Sequence, residues 1–322
     1  MAYTGAKSSV LLGIENTFGS EAKAKYKIPF TSESLNHKIE AVKSEAFLGS
    51  RGIKALAPGK EGAEGSLELE MYPLTSGILF YLALGNAVLE DPDATPSSGD
   101  EYTKITPISL FDELPSASIE VNHSGQSFKY LGMKINQLKF SGAVGAIPKL
   151  TADFVGVEEK SGSLTQETTI INPDNEPYYF KELKLYTDKF STVTDLYSSI
   201  ELTINNNLDN DDYRLDGTGK RKTVEAGNLE ISGSIDIIFD ASSVTNEYAA
   251  FKSFSDSAIG IELAKDATHT LKIYLPRIRF SEMTHDISDS GKIMLKANFT
   301  TLIPGSGDII EVSDFTNTTG LY

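Results

Sequence analysis

The sequence predicts a mainly β protein: two tandem β-sandwich or barrel units, each with one flanking α-helix. Three observations predict it. Segments alternate cleanly, as in Ser66-Leu67-Glu68-Leu69-Glu70-Met71, which puts Leu67, Leu69 and Met71 on one face of a strand and Ser66, Glu68 and Glu70 on the other. The chain also reads as containing itself twice. Ile135-Asn136-Gln137-Leu138-Lys139-Phe140-Ser141 is similar to Leu275-Pro276-Arg277-Ile278-Arg279-Phe280-Ser281, an offset of 140 (280 − 140) that also aligns Ser118-Ile119-Glu120-Val121 with Ala258-Ile259-Gly260-Ile261. Ala152-Asp153-Phe154 matches Ala297-Asn298-Phe299 at 145 (297 − 152), which puts five extra residues in the second unit's turn, 282–291. Finally, each half carries a long polar insertion between its early strands, 44–65 and 208–227, and long loops in ordered domains have a function or are disordered.

The elements follow in order. The N-terminal arm, 1–30, reads as loop plus one short strand, and strands begin at Ser34. The apolar stretch 75–84 follows Pro73 and stops at Gly85-Asn86, which is helix punctuation. Residues 87–104 are a solvated acidic loop, followed by strands near 117–123, 127–141 and 149–158. Gly162, Pro173, Asp174, Asn175 and Pro177 mark a linker. The expected division is 1–160, a linker at 161–178, and 179–322. The second unit repeats the plan: alternating strands at 200–205 and 229–237, a helix over 245–254, then strands near 257–263, 270–281 and 292–303.

Composition limits the function. The 322 residues suit two domains, and 40% apolar content suffices for two cores. No run of 18 apolar residues is present, so no membrane-spanning helix is expected. The start, Met1 to Lys7, lacks the regions of a secretory signal. Without cysteine there is no disulfide framework and no thiolate metal site, and a reducing cytoplasm suits synthesis. The net charge of −16 argues against a protein that grips nucleic acid and is compatible with one that lets DNA slide past. Solubility alone also accounts for it.

Gly13-Ile14-Glu15-Asn16-Thr17-Phe18-Gly19, Glu33-Ser34-Leu35-Asn36, Gly49-Ser50-Arg51 and Gly65-Ser66-Leu67-Glu68-Leu69-Glu70 resemble the phage tail tube proteins. In the second half a polar loop at 215–227 opens into Leu229-Glu230-Ile231-Ser232-Gly233, the more general pattern of that family. The resemblance implies sandwich domains with one helix, whose strands join neighbouring copies into a closed β-barrel ring and whose long loop reaches the next ring. It implies a structural virion protein of the tail, assembled in the bacterial host cytoplasm, with rings stacked into a conduit for DNA ejection. A duplicated member is expected to form trimeric, pseudo-hexameric rings. Expected partners are other copies of the chain and further tail proteins (initiator or distal tail, tape measure, terminator), with DNA passing through unbound.

On that reading Glu68, Glu70, Glu201, Glu230 and Asp236 face the lumen, where acidic side chains repel DNA, and water outside a sandwich is the plain alternative for those faces. Arg51, Lys54, Lys60, Arg214, Lys220 and Arg221 are the candidate ring-stacking residues. Rival readings are another tail component of related fold, such as a terminator or baseplate part, and a two-module carbohydrate-binding adhesin. The absence of Trp and of an evident Tyr platform weighs against the adhesin. No catalysis, metal or cofactor is expected. Asp209-Asn210-Asp211-Asp212 with Asp216-Gly217 fails the calcium-loop order, and Gly217-Thr218-Gly219-Lys220 lacks the phosphate-loop spacer. His37, His123, His269 and His285 show no ligand spacing, and Glu158-Glu159 point to opposite faces of a strand. Asn122-His123-Ser124 and Asn298-Phe299-Thr300 match the glycosylation pattern, to which a secretory signal is lacking.

Overall fold

A computed structural model describes residues 4–46, 49, 52–92, 101–109, 112–285 and 291–316. The chain is mainly β. Its first part holds β1 (Ser9–Ile14), β2 (Ala24–Ile28), β3 (Ser32–Glu33), β4 (Asn36–Lys43), β5 (Leu56–Glu70), helix α1 (Gly77–Leu84), β6 (Gly85–Glu90), β7 (Tyr102–Pro107), β8 (Ala117–His123), β9 (Gln126–Ala143), β10 (Lys149–Gly156), β11 (Glu158–Ser161) and β12 (Gln166–Ile171). The second part holds β13 (Leu183–Tyr186), β14 (Tyr197–Asn205), β15 (Glu230–Ile238), a helical segment, β16 (Ser257–Asp266), β17 (His269–Thr284), β18 (Met294–Thr301) and β19 (Glu311–Asp314).

β9 organises the first part because it belongs to two sheets. Its N-terminal half pairs with β8 and β11, and β8 pairs onward through β1 to β2. Its C-terminal half pairs with β10, which pairs with β5, itself flanked by β3 and β4. Gly132 sits at the changeover in the left-handed region (φ 68), and a Cβ there would meet a Val157 methyl at 2.6 Å. An extra residue then enters β9, where Asp153 faces Gln137 and Phe154 faces Ile135, and such a bulge bends the strand further. The alternating residues fill the space between the sheets: Leu12, Ile119 and Val121 from one, Leu67, Leu69, Leu138 and Leu150 from the other.

The helices answer to their punctuation. α1 ends where Gly85 turns left-handed at φ 92, with Ile108 so close that no side chain fits. It packs on β9 and β7. The second helix starts four residues before the expected 245, at Ala241, because Asp240 caps it. The Asp240 carboxylate accepts from Ser243 N at 2.8 Å, and Ser243 Oγ accepts from Asp240 N at 2.9 Å. It runs Ala241–Ser243, a π-helical turn Val244–Tyr248, and Ala249–Ser253, ending at left-handed Phe254 (φ 53).

Three findings differ from the sequence reading. The N-terminal arm carries two strands rather than one. The span read as a linker, 161–178, begins at the last residue of β11 and holds β12, which pairs with β2, and buried Leu164, so this stretch lies on the first part's sheet. The stretch read as an acidic loop, 87–104, is shorter as a loop than expected, since 87–90 and 102–104 pair in the hairpin β6–β7; residues 93–100 lie outside the described residues.

The two parts meet edge to edge. β14 pairs antiparallel with the free side of β9, Ser199 opposite Ala143 through Asn205 opposite Gln137. β15 continues from β14, β18 from β15, and β17 from β18. The result is one uninterrupted run, β4–β5–β10–β9–β14–β15–β18–β17, with a large apolar core shared by both parts behind it and a small second cluster of Leu114, Val155, Leu208 and Val224.

Candidate functional site

The uninterrupted run has two faces, set by the period of 2. Leu67, Leu69, Leu138, Phe140, Leu150, Ala152, Leu202, Ile204, Ile231, Ile235, Ala297 and Phe299 are buried on the inner one. The other face is polar, and register decides what stands beside what. One row reads Glu70, Lys149, Ser141, Glu201, Ser234, Asn298 across six strands. The adjacent row reads Glu68, Thr151, Lys139, Thr203, Ser232, Thr300. Glu230 lies opposite Asn205 and Asp236 opposite Lys296. The five acids chosen from sequence therefore share one face of one sheet, though they come from three strands up to 168 positions apart (236 − 68).

The face is mixed rather than purely acidic. Lys149 Nζ donates to Glu68 at 2.6 Å, and this bond holds the lysine above its ordinary pKa. Lys139 lies 3.0 Å from Glu201, and Ser199 Oγ donates to Asp236 at 2.9 Å. Sequence reasoning missed Lys139, Lys149, Lys296 and Asp153. Burial pushes the Asp153 carboxyl up. Alternation would have placed all four on this face, but which acid each lysine meets depends on strands remote in sequence.

The basic loop candidates are scattered in their contacts. Lys60 Nζ donates to Asp211 at 2.5 Å, and Lys220 pairs with Glu158. Arg214 grips Asp212 in its own loop at 2.8 Å. Arg221 is buried, its Nε on Asn210 O at 2.7 Å and its Nη1 on Gly156 O at 2.8 Å. Lys60, Lys220 and Arg221 thus hold the loop of 208–227 against the first part of the chain. Gly62 makes room for the guanidinium, since a Cβ there would lie 2.5 Å from Arg221 Nη1. Lys54 is exposed, and Arg51 lies outside the described residues.

The residues that carry the resemblance have structural work. Glu15 is buried, and its carboxylate accepts from Gly19 N at 2.8 Å, Ser116 Oγ at 2.7 Å, Ser118 Oγ at 2.8 Å and Gly132 N at 2.8 Å. It ties the first strand to β8 and to the changeover glycine of β9. Four donors compensate the cost of burying the charge. Among the described residues no group of three or more His, Asp or Glu is placed to hold a metal ion, and no helix is long and apolar enough to cross a membrane.

The family profile of the phage tail tube proteins matches residues 5–301, nearly the whole chain. The chain belongs to the phage tail tube protein family. The match spans both parts and the polar face, so this tail tube protein is a structural component of the virion tail. None of the curated proteins compared with it matches.

Proposed function

We propose that this tail tube protein is a duplicated subunit whose copies close into trimeric, pseudo-hexameric rings. The rings stack into the conduit through which DNA leaves the virion. The observation that carries the reading is the uninterrupted sheet, with a polar face rich in carboxylates crossing both parts without a break. In a ring that face lines the channel. Glu68 and Glu201 are partly neutralised by lysines, while Glu230 stands exposed, so DNA charges spaced about 1.7 Å along the axis meet a hydrated wall of net negative sign.

The duplication is supported by register. Phe154 stands opposite Gly65, and Phe299 opposite Gly233. The bulge of β9 between Asp153 and Phe154 recurs in β17 between Asn298 and Phe299. On this equivalence β9 maps to β17 at an offset of 145, Ile135 to Phe280 (280 − 135), while β8 maps to β16 at 140, Val121 to Ile261 (261 − 121). The five extra residues then fall in the β16–β17 hairpin rather than in 282–291, and the apparent match of 135–141 to 275–281 is a similarity of composition.

Assembly takes place in the host cytoplasm with other tail proteins, and Lys54 and Arg214 reach towards the next ring. Negative-stain electron microscopy over a concentration series tests the proposal. Rings or tubes with threefold symmetry and a central hole are the expected result, and only monomers at high concentration would sink it.

A further inference from the structure

The junction between the two parts gives a template for a junction between copies. β14 reaches β15 through Ile200 opposite Ile235, as β3 reaches β5 through Glu33 opposite Leu67. Leu67 and Ile235 stand alike, opposite Ala152 and Ala297. β3–β4 therefore occupies the place of β14, with Leu35 at the position of Leu202 and Lys38 at that of Asn205. On the other side of the junction, Gln137 of β9 faces Asp153, and Glu282 of β17 faces Asn298. Inside the chain, β14 fills the edge of β9 beyond Gln137. The corresponding edge of β17, past Ile278, has no strand partner among the described residues, and neither has the side of β4 away from β5.

We propose that these two open edges pair between copies of this chain in one defined register: Lys38 of one copy opposite Glu282 of the next, His37 opposite Met283, Asn36 opposite Thr284, and Leu35 opposite His285. The inference rests on the ring reading above and specifies how its copies meet. Charge agrees, since the translated register sets a lysine against a glutamate. So does the state of the edge. The Leu35 amide donates to Glu33 Oε2 and the His37 amide to Glu159 Oε2, each at 3.1 Å. In the internal junction the amide two positions beyond Ile204, that of Asn206, donates to Asn136 O at 2.8 Å. Amides two apart point the same way, so Leu35 and His37 present to the outside the donors that the internal junction uses. Carboxylates hold them in the free subunit, which keeps an unpaired edge from uncontrolled pairing. Further along β4, Ile39 and Val42 are 53% and 57% exposed, apolar surface that a second copy would cover.

The chain has no cysteine, so paired substitutions report the register without background. Asn36 and Lys38 alternate with the outward-donating residues and fall at the close, non-hydrogen-bonded sites, about 4.5 Å between Cα atoms. Asn36→Cys with Thr284→Cys, and separately Lys38→Cys with Glu282→Cys, are expected to yield covalent oligomers up to a closed trimer on mild oxidation. Asn36→Cys with Glu282→Cys is shifted by two residues and is expected to stay monomeric on a non-reducing gel. The same samples go to electron microscopy, and circular dichroism confirms folding. Tubes that form without in-register cross-links, or with shifted cross-links equally strong, overturn the register and leave the ring reading standing. Neither tubes nor cross-links overturns both. In-register cross-links without rings uphold the edge pairing and reject ring closure.

Discussion

The two helices occupy the same point in chain order, after β5 and after β15, yet they live in different surroundings. Every residue of α1 except Tyr81 is buried. In the segment 241–253 only Ser243 and Glu247 are, and Phe254 at its end is 58% exposed. A helix apolar all round belongs in a core, whereas one mixing Thr245, Asn246, Glu247 and Lys252 with aromatics belongs on a surface. The comparison teaches that the first helix is a core element of the whole molecule. Asn206, just past β14, donates through Nδ2 to Ala83 O of α1 and to Ile135 O of β9, both at 2.9 Å. A side chain from the second part thereby satisfies a carbonyl in the last turn of the first part's helix.

Three tests sharpen this contrast, in descending effect: a pair of aromatic truncations, the Asn206 tie, and Glu247. Phe80→Ala in α1 is expected to cost about 3–5 kcal/mol, whereas Phe251→Ala in the half-buried helix should cost well under half of that. Urea unfolding of both variants measures it, and equal losses would erase the distinction. Asn206→Leu strands two buried carbonyls and is expected to cost about 1–3 kcal/mol. The loss should appear as weaker hydrogen-exchange protection at both the end of α1 and the β9–β14 junction; protection lost at one alone would break the proposed tie.

The smallest effect belongs to Glu247. Burial raises its carboxyl pKa, while Tyr197 Oη donates to its Oε1 at 3.1 Å and Oε2 has no partner. A folded pKa above the unfolded one means stability that is present below the unfolded value and lost as pH rises through the folded one. Glu247→Gln is therefore expected to raise the melting temperature at pH 7, with the gain fading as pH falls towards 4. A gain constant with pH would assign it to packing instead.

Much of this was readable from residues. The reading placed a strand near 117–123, where β8 runs Ala117–His123, and alternation put Glu68, Glu70, Glu201, Glu230 and Asp236 on polar faces. The strand β2 carries the same signal in Ala24-Lys25-Tyr26-Lys27-Ile28 but is only five residues long and follows a loop-like stretch. On the proposed duplication, the offset of 140 read from 135–141 and 275–281 differs from the 145 of the paired strands because the β16–β17 hairpin is five residues longer than the β8–β9 hairpin, and hairpin length is invisible to a local match of strand residues. Nothing local announced that Arg221 is buried: besides Asn210 O of its own loop, its guanidinium meets Gly156 O at the end of β10, which is remote in sequence.

That guanidinium has a consequence for how the molecule comes into being. Its acceptors, Asn210 O and Gly156 O, belong to its own loop and to the end of β10. Synthesis runs from the N-terminus at about 5–20 residues per second, so β9 and β10, which carry the edge that β14 joins and the Gly156 carbonyl that Arg221 meets, precede both out of the ribosome. Among the described strands of the first part only β7 waits for the far end of the chain, its partner β19 being among the last residues made.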